Sequence, residues 1–231
     1  MLNKLIKDLT KLKNPEKAKI LQRFFKTGKG EYGEGDIFLG IVVPIQRKLV
    51  KKYHDLSLDD LQKLLDSKIH EHRLIALLIL VEQYKRADDK QKKTVVNFYL
   101  ENTKNINNWD LVDLSCRDII GAYYFDKDRT VLYKLARSKN IWERRIAVLS
   151  TFYFIRKNQF EDIMKISEML LKDKHDLIHK AVGWMLREVG KRDRPQLDKF
   201  LNKYYKIMPR TMLRYAIEKF DKSKREYYLK L

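Results

Sequence analysis

Cysteine is almost absent from this chain, since Cys116 is the single one among 231 residues. One cysteine excludes both a disulfide within the chain and a zinc site built from four thiolates. A reducing compartment is therefore the expected setting. We expect Cys116 to be a buried structural side chain, because no histidine lies near it in sequence to activate its thiol.

Long apolar segments are missing as well. The longest apolar run covers residues 74–81, which is far shorter than the roughly 20 residues that span a bilayer. Residues 1–11 interleave leucine and isoleucine with lysine and aspartate, so they lack the hydrophobic core of a signal peptide. These two absences predict a soluble, cytoplasmic protein that is not inserted in a membrane.

Proline and glycine are scarce, and five of the eight glycines lie between Gly28 and Gly40. Elsewhere apolar residues recur at spacings of three and four, and no stretch alternates with the period of two that is typical of strands. We therefore predict an all-α protein that forms a single domain over residues 1–231. The helical spacing is clear at Leu74, Leu77, Leu78 and Val81, and again at Ile146, Leu149, Phe152 and Tyr153.

Helix starts that resemble one another recur along the chain. A charged residue marks each of them, at Arg73, Asp113, Arg145, Lys180 and Arg214, with intervals of 40, 32, 35 and 34 residues. Short breaks separate the helices, which indicates antiparallel helical hairpins. Near-constant spacing predicts a HEAT-like α-solenoid with a concave basic face, and a helical bundle is the alternative. The similar helical segments are residues 70–81, 107–120, 142–151, 177–186 and 211–220, and the breaks fall at 14–15, 86–89, 126–128, 172–175 and 192–195.

Positive charge is in large excess. Lysine and arginine total 50 against 31 aspartates and glutamates, which gives a formal net charge of +19. A folded chain this basic favours a polyanionic partner, with nucleic acid as the first candidate and an anionic membrane surface as the second. A lysine-rich proteome that raises every isoelectric point is the other explanation.

A possible dinucleotide-binding loop and a possible metal-binding histidine pair both lack the sequence context that they need. Residues 28–33 match the glycine pattern of a dinucleotide loop, but a predicted helix precedes them where that loop needs a strand. A flexible connector between two hairpins is the preferred interpretation. His175 and His179 are spaced for one helical face, yet no third ligand lies near them in sequence. We expect neither a nucleotide cofactor nor a metal.

The informative segment is residues 107–113. Trp109 and Asp113 lie four apart, so one helical face carries an indole and a carboxylate. Trp184 follows Asp113 by 71 residues, about two repeat lengths, and Arg145 lies one repeat from Asp113. A carboxylate in a basic groove weakens DNA binding unless the chemistry uses it. We assign Trp142 to the core, and Asp110 to a solvated charge or a helix cap.

Several blocks in order resemble the AlkD-type DNA alkylation repair glycosylases, a HEAT-like family. The resemblance runs through nearly the whole chain. It departs where Asp176 and Leu177 replace an aromatic that some members carry, and where Phe24 stands at a position that a tyrosine can occupy. The matching blocks are residues 26–36, 38–40, Pro44 with Arg47, 108–113, 140–145 and 180–188.

The resemblance implies a DNA N-glycosylase that releases N3- and N7-alkylated purines from duplex DNA and so starts base excision repair. It places Trp109, Asp113 and Trp184 in the catalytic cleft and Arg145 on the DNA backbone beside the lesion. We expect Arg187 to support the duplex less specifically. No cofactor, metal or obligate protein partner is implied, and we expect a monomer that associates with the nucleoid through DNA.

Two other functions stay open at this point. A non-catalytic scaffold that binds DNA or RNA uses the same basic groove, and a protein-interaction solenoid is the commoner role of HEAT arrays. The scaffold predicts that Asp113→Asn leaves function intact. The interaction solenoid predicts little salt-dependent affinity for DNA.

Overall fold

The computed structural model describes residues 1–230, and these residues fold into helices joined by short connections. Their single β-type pairing is an isolated parallel bridge between Ile37 and Ile69. The all-α prediction is confirmed. The chain divides into two compact units, of which the first is Met1–Ser115 and the second begins at Cys116. A single repeat domain over the whole chain stays a prediction.

The first unit is built around its longest helix, α5, which contacts α3, α4, α6 and α7. This helix buries side chains all around its circumference, as a core helix does. The prediction of a helix at residues 70–81 is therefore confirmed, and the helix continues to Arg86. The helices of this unit are α1 (Leu2–Lys11), α2 (Pro15–Phe24), α3 (Val43–Tyr53), α4 (Leu58–Leu65), α5 (His70–Arg86), α6 (Asp89–Glu101) and α7 (Trp109–Asp113), with a 3-10 turn at Thr103–Asn105.

The second unit has two central helices, α10 and α12, which pack against each other. The first of these also contacts α9 and α11, and the second also contacts α11, α13 and α14. The elements of this unit are a π-helical turn at Arg117–Gly121, α8 (Ala122–Tyr124), α9 (Thr130–Ala136), α10 (Ile141–Ile155), α11 (Glu161–Met169), α12 (Asp176–Gly190), α13 (Arg194–Tyr204), α14 (Arg210–Ala216) and α15 (Lys222–Leu229).

The predicted breaks all coincide with junctions between helices, although some of their end residues belong to a neighbouring helix. Polar side chains begin the helices that follow several of these breaks. Asn14 accepts a hydrogen bond from the Lys17 amide, and Asp193 accepts one from Gln196. Asp88 and Gln91 form a reciprocal capping box at the start of α6. Such side chains satisfy amides that the first turn of a helix leaves without a backbone partner.

The predicted repeat register matches the observed helix starts. Helices α5, α7, α10, α12 and α14 begin at residues 70, 109, 141, 176 and 210. Of the residues chosen as equivalent points, Arg73 is the fourth residue of its helix and the other four are each the fifth.

Two of the predicted helices are shorter than expected. Residues 107–120 form the five-residue α7 and a separate π-helical turn instead of one helix. The Ser115 hydroxyl donates to the Leu111 carbonyl between them, and a serine bonded in this way bends a helix. The last segment also ends early, because α14 stops at Ala216.

One close packing contact occurs twice in the second unit. A β-carbon on Gly121 would lie 2.4 Å from the Ser150 carbonyl oxygen, and one on Gly183 would lie 2.4 Å from that of Met212. Both contacts join residues 29 positions apart (150 − 121 and 212 − 183). Glycine therefore lets the π-helical turn approach α10, and α12 approach α14, with backbone against backbone.

Cys116 and Trp142 are buried, as predicted. None of the helices within residues 1–230 combines the length and apolar character that a bilayer crossing requires.

Candidate active site

The short helix α7 begins with Trp109 and ends with Asp113, and both side chains are half-buried. The Asn108 side chain starts the helix by accepting a hydrogen bond from the Trp109 amide at 2.8 Å. The residues between them, Asp110–Val112, are buried in the first unit. The helix is thus anchored by its middle residues, and its two ends carry the predicted indole and carboxylate.

Aromatic rings hold the Trp109 indole in place. Phe25 stacks on it with ring centres 4.9 Å apart and planes 21° apart, and Phe24 approaches edge-on at 5.8 Å. The indole Nε1 donates to the Tyr32 hydroxyl at 3.3 Å. Phe25 stacks in turn on Phe38 at 5.1 Å. Since neighbours from α2 and from the following loop fix the ring, its orientation is set before any ligand arrives.

Asp110 is buried, so its assignment as a solvated charge is wrong. Its Oδ1 does accept the Leu111 amide at 2.9 Å, but its Oδ2 lies 2.8 Å from His70 Nε2. The other ring nitrogen, Nδ1, lies 3.1 Å from Asp36 Oδ2. Burial opposes a charge on this ring, but the Asp110 and Asp36 carboxylates outweigh it and raise the pKa of His70 to about 9.

Arg73 completes this buried group of charges. Its guanidinium donates to Asp36 at 2.6 Å and to the Ser67 carbonyl at 2.7 Å. Burial raises the pKa of Asp36, but the hydrogen bond from His70 and the charges of His70 and Arg73 lower it further than burial raises it. Two cations and two carboxylates give no net charge, which is how a protein interior accommodates ionised side chains.

The glycine-rich segment connects α2 to α3, and hydrogen bonds tie it together. Within it, the Gly28 and Gly30 amides donate to the carboxylates of Glu31 and Glu34. Farther along, the buried Glu71 carboxylate accepts from three successive amides, at residues 39, 40 and 41, over 2.8–3.1 Å. The N-terminal turn of α5 therefore holds both ends of the segment from Asp36 to Ile41.

In the second unit, Trp184 lies half-buried on α12. Its indole Nε1 donates to Glu188 Oε1 at 3.2 Å, and Lys191 donates to the same oxygen at 2.7 Å. Phe152 packs beside the indole with ring centres 5.9 Å apart, and the Arg117 guanidinium lies 5.7 Å from the Phe152 ring. The indole is thus held by one carboxylate and one ring.

The two predicted DNA-binding arginines already have protein partners. Arg145 is only 5% exposed, and its Nη1 donates to the Leu177 carbonyl at 2.6 Å, in the first turn of the helix that carries Trp184. Arg187 pairs with Glu218, and its Nε lies 3.7 Å from Glu188. A phosphate contact by Arg187 would therefore compete with two carboxylates.

His175 and His179, the other histidines noted in the sequence, form hydrogen bonds with backbone atoms. The His175 ring accepts from the Leu177 amide at the start of α12, and the His179 ring bonds the Asp173 carbonyl. Among residues 1–230 no three histidine, cysteine, aspartate or glutamate side chains are grouped in a way that would hold a metal ion.

Trp109 and Asp113 share α7 in the first unit, and Arg145 is bonded to the helix of Trp184 and Arg187 in the second. The convergence of these two sets stays a prediction. Sequence reasoning missed Glu188, although its spacing of four from Trp184 was a usable signal. It also missed His70 with Asp36, whose separation of 34 residues gives no local signal.

These features define a strongly basic all-α protein with regularly spaced helices. The chain belongs to the family of DNA alkylation repair enzymes, whose sequence profile matches residues 5–220. In structure it is similar to a predicted DNA alkylation repair enzyme from Enterococcus faecalis, with a TM-score of 0.69 and 19% identity. That alignment covers 91% of this chain and 97% of the other, and it shows a shared fold. Comparison with curated protein sequences finds no match.

Proposed function

We propose that this member of the family is a DNA N-glycosylase that hydrolyses the N-glycosidic bond of N3- and N7-alkylated purines in duplex DNA. The proposal depends on one observation. The buried middle of α7 fixes Trp109 and Asp113 at the two ends of the same short helix, in a chain of net charge +19. A half-buried carboxylate costs affinity for a polyanion unless the reaction uses it. Membership in an alkylation repair family supports the same substrate class.

The chemistry of the lesion suits one carboxylate. Alkylation at N3 or N7 makes the base cationic, so the base leaves with the bonding electrons as a neutral molecule and needs no strong acid. Positive charge develops on the sugar, where water adds and gives up a proton. Asp113 stabilises that charge and orients the water. At about 4 Å and an effective dielectric near 20, the attraction is about 4 kcal/mol, or roughly a thousandfold in rate.

The indoles suit the same transition state. The face of an indole attracts cations, which here are the alkylated nucleotide and the sugar as it becomes cationic. Trp109 needs little reorganisation to act in this way, because Phe25 and Tyr32 already fix its ring. Preformed groups of this kind stabilise a transition state more than mobile ones do.

Contacts from the second unit complete the proposal. We assign Trp184 to the same sugar, Arg145 to a phosphate beside the lesion, and Arg187 to weaker support of the duplex. The roles of Trp184 and Arg145 come from the resemblance to the AlkD-type glycosylases, which also implies a lesion that stays stacked in the helix, and the role of Arg187 is our own hypothesis. Bulky cationic adducts are then accepted as substrates. The product, an abasic site, is the starting point of base excision repair.

The test is base release from duplex DNA that carries N7-methylguanine. We expect Asp113→Asn to lower the rate by about a hundredfold or more while DNA binding is kept or strengthened. Asp89→Asn is the matched control, because it removes the same charge from a side chain that is fully exposed in α6. If the native chain binds this duplex but releases neither this base nor other alkylated purines, it is a non-catalytic scaffold.

A further inference from the structure

His70 is an ionised side chain in the interior of the first unit. The residue is 1% exposed, and each ring nitrogen lies within 3.1 Å of a carboxylate oxygen, from Asp36 on one side and from Asp110 on the other. A carboxylate only accepts hydrogen bonds, so both ring nitrogens must donate. An imidazole that donates from both nitrogens is an imidazolium cation. With Asp36 and Asp110 both present as carboxylates, the geometry therefore assigns the charge to the ring.

This ring connects to Trp109 by two routes. Its bond to Asp110 holds the residue that directly follows Trp109 in α7. Its face stacks on Phe38 with centres 4.4 Å apart and approaches Phe25 at 5.1 Å, and Phe25 stacks on the Trp109 indole. His70 thus supports both the first turn of α7 and the Phe25 ring that stacks on the indole.

The charged neighbours of His70 are few. Asp36 faces it from the loop, Asp110 faces it from α7, and Arg73 lies on its own helix and pairs with Asp36. Glu71, also on that helix, directs its carboxylate to the amides of residues 39–41. The α2 side of the ring is covered by Phe25, which carries no charge.

We infer that His70 is a positioning residue for the reaction, because as an imidazolium between Asp36 and Asp110 it sets the orientation of α7 and so of Trp109 and Asp113. This inference rests on the proposed glycosylase activity only for its kinetic consequence. The role in placing α7 is a property of the folded chain. It therefore has a test that needs no substrate.

The kinetic test compares His70→Gln with His72→Gln. Glutamine donates to one carboxylate but turns an oxygen toward the other, so one end of the bridge is lost. A misplacement of about 1 Å costs on the order of a hundredfold in rate, so we expect a fall of about that size in single-turnover base release. The dissociation constant for the duplex should change less than threefold. His72 is the matched control, since it is buried on the same helix but its ring bonds the Ser67 hydroxyl instead of a carboxylate.

A second variant, Asp110→Asn, tests the charge and guards against a His70 variant that fails to fold. An asparagine amide donates to a neutral His70 Nε2, so the bridge no longer needs the cation. In the native chain and in His72→Gln, base release should fall as the pH rises through about 9. In Asp110→Asn that alkaline loss should disappear. Ionisation of the lesion itself is common to all the variants and cancels in the comparison.

The substrate-free test is the indole N–H resonance of Trp109, identified by its loss in Trp109→Phe. We expect it to shift with pH near 9 in the native chain, to be displaced at all pH values in His70→Gln, and to be unaffected by His72→Gln. If the resonance behaves in this way but no alkylated base is released, the proposed function fails and the positioning role stands. If His70→Gln leaves both the resonance and the release rate unchanged, the positioning role is refuted.

Discussion

The buried imidazolium predicts how the stability of the first unit depends on pH. Folding raises the pKa of His70 from 6.5 to about 9, against the opposing effect of burial, through the carboxylates of Asp110 and Asp36. Each pKa unit is 1.36 kcal/mol, so the charged ring contributes roughly 3 kcal/mol to folding. Because the folded pKa is the higher one, this contribution is complete below pH 6.5. It is lost as the pH rises through about 9.

The measurement is urea unfolding of the native chain and of His70→Gln between pH 6 and pH 10, followed by amide signals of α5 so that the first unit is observed. The difference in free energy of unfolding between the two chains should shrink by roughly 3 kcal/mol across that range. A difference that stays constant with pH would show that His70 is not a cation in the folded chain.

His72 provides a control of opposite sign. Burial lowers the pKa of His72, and the charges of Arg73 and Lys13 lower it further. Its protonation therefore opposes folding, and the native chain loses stability relative to His72→Gln as the pH falls below about 6.5. Two buried histidines, two positions apart on one helix, should thus give slopes of opposite sign once the urea series is extended well below pH 6.

Three further outcomes are expected. Glu188→Ala should slow base release about tenfold because the Trp184 indole loses its acceptor, whereas Glu188→Gln keeps an acceptor and should retain most of the rate. Gly183→Ala should lower the free energy of unfolding by about 1–3 kcal/mol, measured by urea denaturation, because the added carbon collides with the Met212 carbonyl. DNA affinity should fall by about a thousandfold between 50 and 200 mM salt if about six phosphates are contacted, and a fluorescence titration that shows no such slope would favour a protein partner instead.

The helices were predictable because their signals are local. Apolar spacing of three and four identified α5 and α10, and the similar helix starts identified α12. Residues that cap helices, Asn14, Asp88 and Asp193, lie at three of the predicted breaks. The repeat register followed from the same pattern. The interruption after α7 was not predictable, since it depends on a hydroxyl that bonds a backbone carbonyl in place of continuing the helix.

The candidate site was predictable only in part, and for a related reason. Trp109 and Asp113 are four apart, so any helix brings them together. The charged partner of Asp110 is His70, 40 residues earlier in the chain (110 − 70), and nothing local distinguishes a buried aspartate from a solvated one. Asp110 was assigned to a solvated charge or a helix cap because a lone acid in a helix most often has one of these two roles. Asp110 is buried in the structure because the His70 cation on α5 compensates its charge.

That cation also explains how α7 tolerates two carboxylates. Asp110 and Asp113 are three apart on one helix, where like charges oppose helix formation by a few tenths of a kcal/mol even in water and by more when buried. His70 neutralises Asp110, which weakens the repulsion between that carboxylate and Asp113, the proposed catalytic carboxylate. In His70→Gln the Asp110 carboxylate loses its counter-charge and acts on α7 as a second anion. We therefore expect the double variant His70→Gln with Asp110→Asn to recover part of the base-release rate that His70→Gln loses. If the double variant is as slow as His70→Gln, the shape of the side chains and not their charge sets the position of α7.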